Sequence, residues 1–394
     1  MAYFLERKCS GDIMKKVIML LSNPFKPDPR VYKEARSLVN HGYDVTVLAW
    51  DREGKYPKKE VIDGIKIERI RLKSRYGLSV ELFFKMYLFW ALAFFKSFKD
   101  DFDVIHTHDF DTAILGLLFK LLRKKWIYDV HDLYFTFFSK ENGKNILMTE
   151  IVRKMDLFFA KICDIFIVPT ESIGGNYKGL KEFYIDYGIL KNKIITIWNV
   201  PDIDKFLNQK KLNLKKSDKF TIGFIGAQRT IQNFVTLFEA VKKLGSENYK
   251  ILFVGEGKDT EKLKKIAKEK YSDLEIEFVG FIDYKMISDY YKVCDCIFSY
   301  FPPARENVKR GISIKVFESS ILGLPTIVNR NSLSNDFVEK YNCGIGISNL
   351  DVNEFMAALK QVRNIFVNNK DIQKTWNWKI MERRLLNTYK EVLR

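Results

Sequence analysis

The sequence contains little cysteine and little histidine, which narrows the classes of protein it can encode. Its 394 residues include five cysteines and four histidines. The cysteines are odd in number and never form paired Cys-x-x-Cys units, which argues against a disulfide framework and favours a reducing compartment. The Cys-Asp-Cys run at 294–296 could bind a metal, but we expect it to be the buried end of an element that leads into the strand "CIFSY".

Long apolar segments are also missing. Residues 1–13 are charged and have no apolar core, so no signal peptide is predicted. Met14 is a more natural start, and we expect residues 1–13 to be an N-terminal extension. The most apolar stretch, "MYLFWALAFF" at 86–95, is too short to span a bilayer and is flanked by Lys85 and Lys96. Two interpretations of this stretch stay open, a buried helix and a helix at a membrane surface.

Acidic residues are fewer than basic ones, 49 against 66, which gives a formal net charge of +17. Such an excess attracts an anionic partner, either nucleic acid, membrane lipid or a phosphorylated small molecule, although a solvated lysine-rich surface is a competing interpretation. The basic runs at 123–125 and 209–219 are not interleaved with aromatic residues, so we expect no nucleic-acid partner. We expect a cytoplasmic protein, either free or peripheral on the inner face of an anionic membrane.

What the sequence has in abundance is alternation between short apolar runs and amphipathic stretches. Strands such as "VIMLLS", "DVTVLAW" and "DVIHTH" alternate with helical patterns, and the series begins again at "FTIGFIG". Apolar strands separated by helices indicate a parallel sheet covered on both faces. We therefore predict an α/β protein with two doubly wound, Rossmann-like domains at 14–202 and 203–375. Ligands of such sheets bind beyond the carboxyl ends of the strands, which predicts a central cleft between the domains.

Histidines mark the strand ends of the first domain. His106 and His108 lie in "VIHTHD", and His131 lies in "YDVHD". The histidine pair with Asp109 and Asp111 could suggest a metal, but side chains that alternate along an extended stretch cannot all converge. We predict no metal site.

Glycines follow two strands of the second domain. Gly226 lies in "IGAQRT" and Gly255 in "VGEGK". Glycine allows a phosphate or a sugar to approach the backbone closely, although it also serves tight strand-to-helix turns. Arg229 stands just after the first of these strands, where a guanidinium could clamp a diphosphate.

The stretch "RGISIKVFESSILGLPTIVN" at 310–329 predicts a helix whose start binds an anion. Ser313 is a good N-cap, so the amides of residues 314–316 point out of the helix, and Lys315 adds a full charge beside them. Glu318 lies beyond this anion site, and a carboxylate that accepts two hydrogen bonds suits a ribose diol. A nucleotide-diphosphate ligand would therefore lie with its diphosphate at the start of the helix and its ribose at Glu318. The competing interpretation is an ordinary capped helix with a solvent-exposed glutamate.

Taken in order, these motifs resemble the retaining glycosyltransferases of family 4, which have the two-domain GT-B fold. The resemblance covers almost the whole chain from about Lys15, and its most specific piece is "IKVFESSILGLPTIV". The other pieces are "RVYKEARSLVNHGYDVTVLAW", "DVIHTHD", "YDVHD", "IWNVPDIDKF" and "FVGEGKDTEKLKKIAKE". The ending "TWNWKIMERRLLNTYKEVL" looks like the family's C-terminal helix, which implies that 376–394 cross back onto the first domain.

The resemblance implies roles for individual residues. Glu318 corresponds to the second acid of the family's E-x7-E motif, which holds the donor ribose, and His131 would lie beside the transferred sugar. The base would be read by backbone groups around Gly280 and Phe281. By role, we predict catalytic residues His131, Arg229 and Lys315, donor-binding residues Glu318, Ser313, Gly226, Gly255, Gly280, Phe281 and Arg310, and acceptor or cleft residues Arg30, His108 and Asn199.

Three positions depart from the family pattern. The first acid of E-x7-E falls at Arg310, which leaves the donor sugar and turnover open, and Glu306 is nearby but out of register. The family's lysine after the first strand of the second domain falls at Gln232, so Arg229 would carry its role alone or with Lys315. The first loop lacks the double glycine of many members, and Arg30 could replace its amides.

The resemblance implies a metal-independent enzyme without a cofactor that moves a sugar from a nucleotide donor, such as a UDP- or GDP-sugar, to an acceptor hydroxyl with retention of configuration. The acceptor would be a sugar or a lipid-linked glycan in polysaccharide, glycolipid or lipid-linked glycan synthesis. Two alternatives keep the fold: a nucleotide-sugar epimerase or hydrolase, and a non-catalytic sugar-nucleotide-binding partner subunit.

Overall fold

The computed structural model describes residues 14–26, 28–74, 80–138, 146–209, 212–301 and 305–394, and the proposed N-terminal extension lies outside them. The chain forms two compact units. Unit 1 comprises Met1–Pro169, Tyr184–Ile197 and Met381–Arg394, and unit 2 comprises Thr170–Phe183 and Trp198–Ile380.

The sheet of unit 1 has eight strands in the order β3-β4-β2-β1-β5-β6-β7-β8. Neighbouring strands are parallel except for the β3–β4 pair. Their bounds are β1 Lys16–Leu21, β2 Asp44–Asp51, β3 Lys59–Ile62, β4 Ile65–Arg71, β5 Val104–His108, β6 Lys125–Asp129, β7 Ile165–Val168 and β8 Ile194–Thr196. The direction of the strand order reverses between β1 and β5, and ligands of such sheets bind at the carboxyl side of this switch point.

Helices cover this sheet, beginning with α1, which Asp28 caps by accepting a hydrogen bond from the Val31 amide. Up to residue 169, the α-helices that the structure describes in unit 1 are α1 Pro29–Asn40, α2 Val80–Lys99, α3 Phe110–Leu121 and α4 Ile146–Ile162. The last three lie side by side. Phe94 of α2 stacks on Phe119 of α3 at 5.0 Å between ring centroids, and Phe110 of α3 packs on Phe159 of α4 at 5.9 Å.

The sheet of unit 2 has six parallel strands in the order β11-β10-β9-β12-β13-β14, with its switch point between β9 and β12. Their bounds are β9 Phe220–Ile225, β10 Tyr249–Val254, β11 Glu275–Gly280, β12 Cys296–Phe298, β13 Thr326–Asn329 and β14 Gly344–Ile347. The remaining helices are α5 Leu180–Asp186, α6 Ile203–Leu207, α7 Ile231–Leu244, α8 Thr260–Lys270, α9 Ile287–Lys292, α10 Glu306–Arg310, α11 Ile314–Ile321, α12 Leu333–Lys340, α13 Val352–Val362, α14 Asn369–Thr375 and α15 Trp378–Val392.

The two Rossmann-like sheets predicted from the sequence are confirmed. The sequence pattern did not identify β3, β8 and β14, which have only three or four residues each. A 3-10 turn, Tyr284–Met286, leads directly into α9. Cys294 and Cys296 are both fully buried, as expected for the end of an element that enters a core strand.

The apolar stretch at 86–95 lies within α2, and only one face of the helix is buried. Leu82, Phe89 and Ala93 point into the unit, whereas Phe84 and Phe95 are exposed. The interpretation as a buried helix is therefore correct for the inner face alone. Among the helices that the structure describes, none is both long enough and apolar enough to cross a membrane.

Candidate functional site

Three glycines follow adjacent strands at the carboxyl edge of the sheet in unit 2. Gly226, Gly255 and Gly280 stand at the ends of β9, β10 and β11 and have positive φ angles of 134°, 108° and 84°. The Gly255 amide donates to the Gly280 carbonyl at 2.7 Å, and the Gly226 amide donates to the Val254 carbonyl at 2.7 Å. These bonds extend the sheet into a backbone floor.

Side chains would not fit in this floor. A Cβ atom on Gly255 would lie 2.8 Å from the Gly226 carbonyl oxygen, and one on Gly226 would lie 3.0 Å from Cε of Lys315. Both positions also have backbone conformations that L-residues rarely adopt. The two glycines predicted from the sequence therefore serve close backbone packing and bring the floor against Lys315.

The ammonium group of Lys315 lies over two aromatic rings, with Nζ 4.1 Å from the centroid of Phe224 and 4.9 Å from that of Phe301. Burial lowers the pKa of Lys315, the Glu318 carboxylate opposes this effect and the nearby Arg229 charge adds to it, so that the net pKa is about 8. Arg229 itself is exposed, and in the described part of the chain it takes part in no ion pair. Two cations therefore share this strand end, and only one of them is held in place by packing.

The start of α11 differs from the prediction in one respect. Ser313 occupies the N-cap position, but its side chain makes no capping hydrogen bond. The Val316 amide donates to the Ser313 carbonyl at 2.9 Å, so it is not available to a ligand as the sequence interpretation assumed. The amides of Ile314 and Lys315 remain as the donors of the first turn.

Glu318 is buried, with 1% of its surface exposed, which contradicts the interpretation as a solvent-exposed glutamate. Its two carboxylate oxygens accept hydrogen bonds from the hydroxyls of Tyr284 and Tyr291, each at 2.6 Å. Burial and the carboxylate raise the pKa of both tyrosines well above the ordinary value, so both hydroxyls stay protonated and donate. The tyrosine pair fixes the plane of the Glu318 carboxylate.

The loop after β9 is held by a buried side chain that sequence reasoning missed. The Gln228 amide nitrogen donates to the Gly226 carbonyl at 2.9 Å, and its oxygen accepts from the Thr260 hydroxyl at 2.6 Å. Thr260 also accepts from the Gly257 amide at 2.8 Å. This chain of bonds connects the loop that carries Arg229 to the start of α8.

Three further predicted residues belong to unit 2: the donor-binding residues Phe281 and Arg310, and the acceptor or cleft residue Asn199. Phe281 follows Gly280 and is 68% exposed. The guanidinium of Arg310 bonds to Glu306 on the same short helix, with Nε 3.1 Å from Oε2, and lies 5.2 Å from the ring centroid of Phe183. The out-of-register acid therefore neutralises the arginine that replaces the family's first acid. Asn199 is partly exposed, next to the buried Trp198.

A surface cavity of about 640 Å³ lies elsewhere in unit 2 and is lined by residues that include Lys219, Glu247 and Asp295. These residues precede β9, β10 and β12 and thus stand at the amino ends of the strands. The cavity is at the opposite edge of the sheet from the glycine floor, where open α/β sheets do not bind their ligands.

In unit 1, the polar groups at the strand ends converge on Asp129, which is fully buried at the end of β6. Arg30 of α1 donates to both carboxylate oxygens, at 2.8 Å from Nη2 to Oδ1 and 3.3 Å from Nε to Oδ2. Its Nη1 donates to the Ile197 carbonyl at 2.8 Å. Although the fully buried carboxylate is costly to charge, Arg30 and then His131 hold the pKa of Asp129 well below its ordinary value. Arg30, which we expected to face a ligand, is 5% exposed and saturated by protein groups.

The three histidines of the strand ends surround the same carboxylate. The rings of His106 and His108 stack with centroids 4.2 Å apart, and His108 Nδ1 lies 3.5 Å from Asp129 Oδ2. His106 Nδ1 lies 2.8 Å from the hydroxyl of Tyr389 on α15. His106 and His108 are buried, so of the histidines at these strand ends only His131, with 21% of its side chain exposed, can reach a ligand.

His131 has an acid on each side. Its Nδ1 lies 3.5 Å from Asp109 and its Nε2 lies 3.5 Å from Asp129. Burial lowers the pKa of His131, but Asp109 and Asp129 together outweigh burial and raise it to about 10. The imidazole is therefore charged at neutral pH and presents N–H donors.

Asp109 has an unusual backbone, with φ 64° and ψ 167°. Its amide donates to the Asp129 carbonyl at 2.8 Å, and its carboxylate accepts from the His131 amide at 2.8 Å. These two bonds join the ends of β5 and β6 and hold a strained residue beside the exposed edge of His131.

The convergence differs from what the sequence suggested. Glu34, His106, His108 and Asp129 each place one potential ligand atom within 4.8 Å of the others, whereas we had considered Asp109 and Asp111 as the partners of the histidines. Arg30 lies against both carboxylates of this cluster, since its Nε is also 3.3 Å from Glu34 Oε1. Arg30 thus supplies positive charge to both carboxylates of the cluster.

Sequence reasoning did not single out Asp129 and Glu34, although the sequence carried a signal for both. The signal was spacing, since Asp129 stands two residues before His131 in a strand and Glu34 stands one helical turn after Arg30. Tyr284 and Tyr291 carried a similar signal, because a spacing of seven residues puts two side chains on one face of a helical segment.

Two family models match the chain. Residues 30–205 match the model Glycosyltransferase Family 4, and residues 204–370 match the model Glycosyl transferases group 1. An uncharacterized glycosyltransferase of Methanocaldococcus jannaschii is 21% identical over 391 residues, which cover 90% of this chain and 92% of that protein.

Solved structures show the same fold. The sucrose-phosphate synthase of Thermosynechococcus elongatus superposes with a TM-score of 0.76 at 16% identity and covers 96% of this chain and 99% of its own. Anabaena HepE, solved in complex with UDP-glucose, gives a TM-score of 0.68 at 13% identity and covers 95% and 99%. The chain has the GT-B fold, and the two family models support a glycosyltransferase.

Proposed function

We propose that this glycosyltransferase moves a hexose from a nucleotide-diphosphate donor to an acceptor hydroxyl with retention of configuration and without a metal ion. The observation that carries the proposal is the pairing of Lys315 and Glu318 on α11. An ammonium group and a fixed carboxylate stand three residues apart, next to the glycine floor at the switch point of unit 2.

The diphosphate is assigned to the cationic end of this site. Lys315, the exposed Arg229 and the two remaining amides of the α11 start supply positive charge and hydrogen-bond donors. Charge develops on the diphosphate as the sugar leaves, and preorganised donors stabilise it most where water is partly excluded. These groups therefore take the part that a divalent cation plays in metal-dependent transferases.

The ribose is assigned to Glu318. The Glu318 carboxylate accepts one hydrogen bond from each of two tyrosine hydroxyls, which orients it, and a carboxylate is the acceptor type that suits a ribose diol. Because the tyrosines hold the carboxylate in one plane, little conformational entropy remains to be lost when the diol binds. A relative of the same fold, HepE, is solved with UDP-glucose, which supports a sugar nucleotide as the ligand class.

His131 is assigned to the transferred sugar, a role that rests on the resemblance. A charged imidazole donates a strong hydrogen bond to a sugar hydroxyl, and Asp109 and Asp129 keep it charged. The acceptor is a sugar or a lipid-linked glycan, so the reaction belongs to polysaccharide, glycolipid or lipid-linked glycan synthesis.

A second candidate function is a non-catalytic donor-binding partner subunit. Arg310 stands where the resemblance calls for an acid, and its ion pair with Glu306 gives the arginine a stable position of its own. A site that keeps its ribose and diphosphate groups but lacks this acid would bind a donor without consuming it.

The test is donor binding by calorimetry with UDP, GDP, ADP and their sugar conjugates, using the full chain and Glu318→Gln. Loss of a charged hydrogen-bond acceptor costs roughly 1.5–3 kcal/mol, so the variant should bind the preferred nucleotide about 10- to 100-fold more weakly. The same substitution at Glu261, which is 84% exposed on α8, is the matched control and should leave affinity unchanged.

Turnover separates the candidates. Donor consumption that requires an acceptor, persists in EDTA and gives a product of the donor's anomeric configuration supports the transferase. Binding without consumption supports the partner subunit, and consumption without acceptor supports an epimerase or hydrolase. If no nucleotide binds at all, the site assignment is wrong.

A further inference from the structure

The outer surface of the helical layer α2–α3–α4 is apolar. Of the 25 large hydrophobic side chains that are exposed in the described part of the chain, more than half belong to this layer or to the residue that ends α3. We define the apolar face by the fifteen that stand on the three helices and at the end of α3: Phe83, Phe84, Tyr87, Leu88, Leu92, Phe95, Phe98, Leu118, Leu121, Leu122, Ile146, Leu147, Ile151, Met155 and Phe158.

Helix α2 contributes the centre of the apolar face. Its inner side packs on the unit through Leu82, Phe89 and Ala93, so the helix is anchored in one orientation. On its outer side, Phe84 is 73% exposed and Phe95 is 63% exposed. Helix packing buries apolar residues on one side and leaves polar ones on the other, and α2 has apolar residues on both.

Cations border the apolar face. Lys99 ends α2, Arg123 and Lys125 follow α3, and Lys154 and Lys161 stand on α4, all of them exposed. None of the five takes part in an ion pair within the described residues. Two of the acids nearby are already engaged, since Glu150 pairs with Arg153 and Asp164 with Lys120, while the exposed Asp100 stands beside Lys99.

From this arrangement we propose that the apolar face docks unit 1 onto an anionic membrane surface. The 20-residue helix α2 is about 30 Å long and would lie in the plane of the interface, with its outer rings among the acyl chains and the bordering cations at the headgroups. This goes beyond the donor chemistry, because the residues involved are on a different unit from the proposed nucleotide site.

The charges favour a lipid over a second copy of the chain. A twofold dimer would bring the same bordering cations of two molecules together, and each molecule already carries a net charge of +17. An anionic bilayer accepts both features at once, since it takes up the rings and neutralises the cations.

The experiment is cosedimentation of the full chain with vesicles of phosphatidylcholine alone or with a quarter phosphatidylglycerol, without nucleotide. The double variant Phe95→Ser/Phe98→Ser should weaken binding by roughly 100-fold, because each buried ring contributes a factor of about ten or more. Phe366→Ser is the matched control, since Phe366 is 86% exposed in unit 2, and it should bind as the wild type does. These substitutions are at exposed positions, and an unchanged melting temperature verifies folding.

A second variant tests the border. Arg123→Glu/Lys125→Glu should lose affinity for the anionic vesicles by at least tenfold, about fivefold for each cation removed, and should not change binding to neutral ones. The proposal is overturned if the wild type fails to sediment with anionic vesicles at low salt, or if the Phe366 control weakens binding as much as the double variant. It is also overturned if light scattering shows a dimer that the double variant converts to a monomer, because the apolar face would then bind a second copy.

Discussion

Removal of the Arg30 guanidinium should destabilise unit 1 severely. In Arg30→Met, Asp129 loses three hydrogen bonds, at 2.8, 3.1 and 3.3 Å, while both Asp129 and Glu34 remain fully buried. Breaking a buried ion pair by removing one partner costs about 3–5 kcal/mol, because an uncompensated charge stays in the interior. For a domain of this size about 2–4 °C is lost per kcal/mol, so the melting temperature should fall by roughly 6–20 °C.

The assay is scanning calorimetry of the full chain, with amide hydrogen exchange on the core strand β6 to assign the transition to unit 1. Lys66→Met is the matched control, since Lys66 pairs with Asp44 at 2.7 Å on the surface of the same unit and is 54% exposed. An exposed pair contributes about 0–1 kcal/mol, so this variant should shift the transition by a few degrees at most. Arg30→Met/Asp129→Asn should recover part of the loss, because it removes both charges. Equal shifts for Arg30→Met and Lys66→Met would refute the reasoning.

Two further predictions concern pH. Burial and then Asp129 raise the pKa of Glu34 to about 8 from 4.5. The folded state therefore holds this proton more tightly than the unfolded state does. The stabilisation that comes from protonated Glu34 is complete below pH 4.5 and is lost as pH rises through 8. In Glu34→Gln, the free energy of unfolding measured with urea should decline less between pH 5 and pH 8 than in the wild type. The same slope against pH in both proteins would contradict the assignment. Burial lowers the pKa of Lys315 to about 8, so nucleotide affinity should fall above that pH. Lys315→Arg should keep its affinity to pH 9 in calorimetry, and a parallel fall in both proteins would show that another group titrates.

The order of strands and helices could be predicted because it depends on local patterns. Apolar runs bounded by glycine predicted β9 and β10, and amphipathic stretches predicted the helices that alternate with the strands. The short strands β8 and β14 form because of their neighbours in the sheet, and a run of three or four residues carries no period of its own.

At the nucleotide site, the sequence predicted residue types better than their environment. Lys315 and Glu318 lie on one helix as expected, but their spacing could not show that the acid is buried or that the amide of Val316 is occupied. Burial of Glu318 depends on Tyr284 and Tyr291, which are 34 and 27 residues away along the chain. Such partners are set by tertiary packing and leave no local pattern.

The cluster in unit 1 was less accessible to prediction for the same reason. Arg30 and Asp129 are 99 residues apart, and each taken alone is typical of a surface position. The histidines could be placed at strand ends, but which of them stays exposed depends on the elements that cover the edge. Tyr389 from α15, for example, reaches His106 across 283 residues.

Asp109 illustrates how selection for activity and selection for folding can diverge at one residue. Its positive φ costs of the order of 1–3 kcal/mol, and glycine would adopt the same backbone freely. Glycine at this position would relieve the strain and would also remove the carboxylate that lies 3.5 Å from His131 Nδ1. The stability of unit 1 and the charge on the imidazole therefore make opposite demands on this one residue.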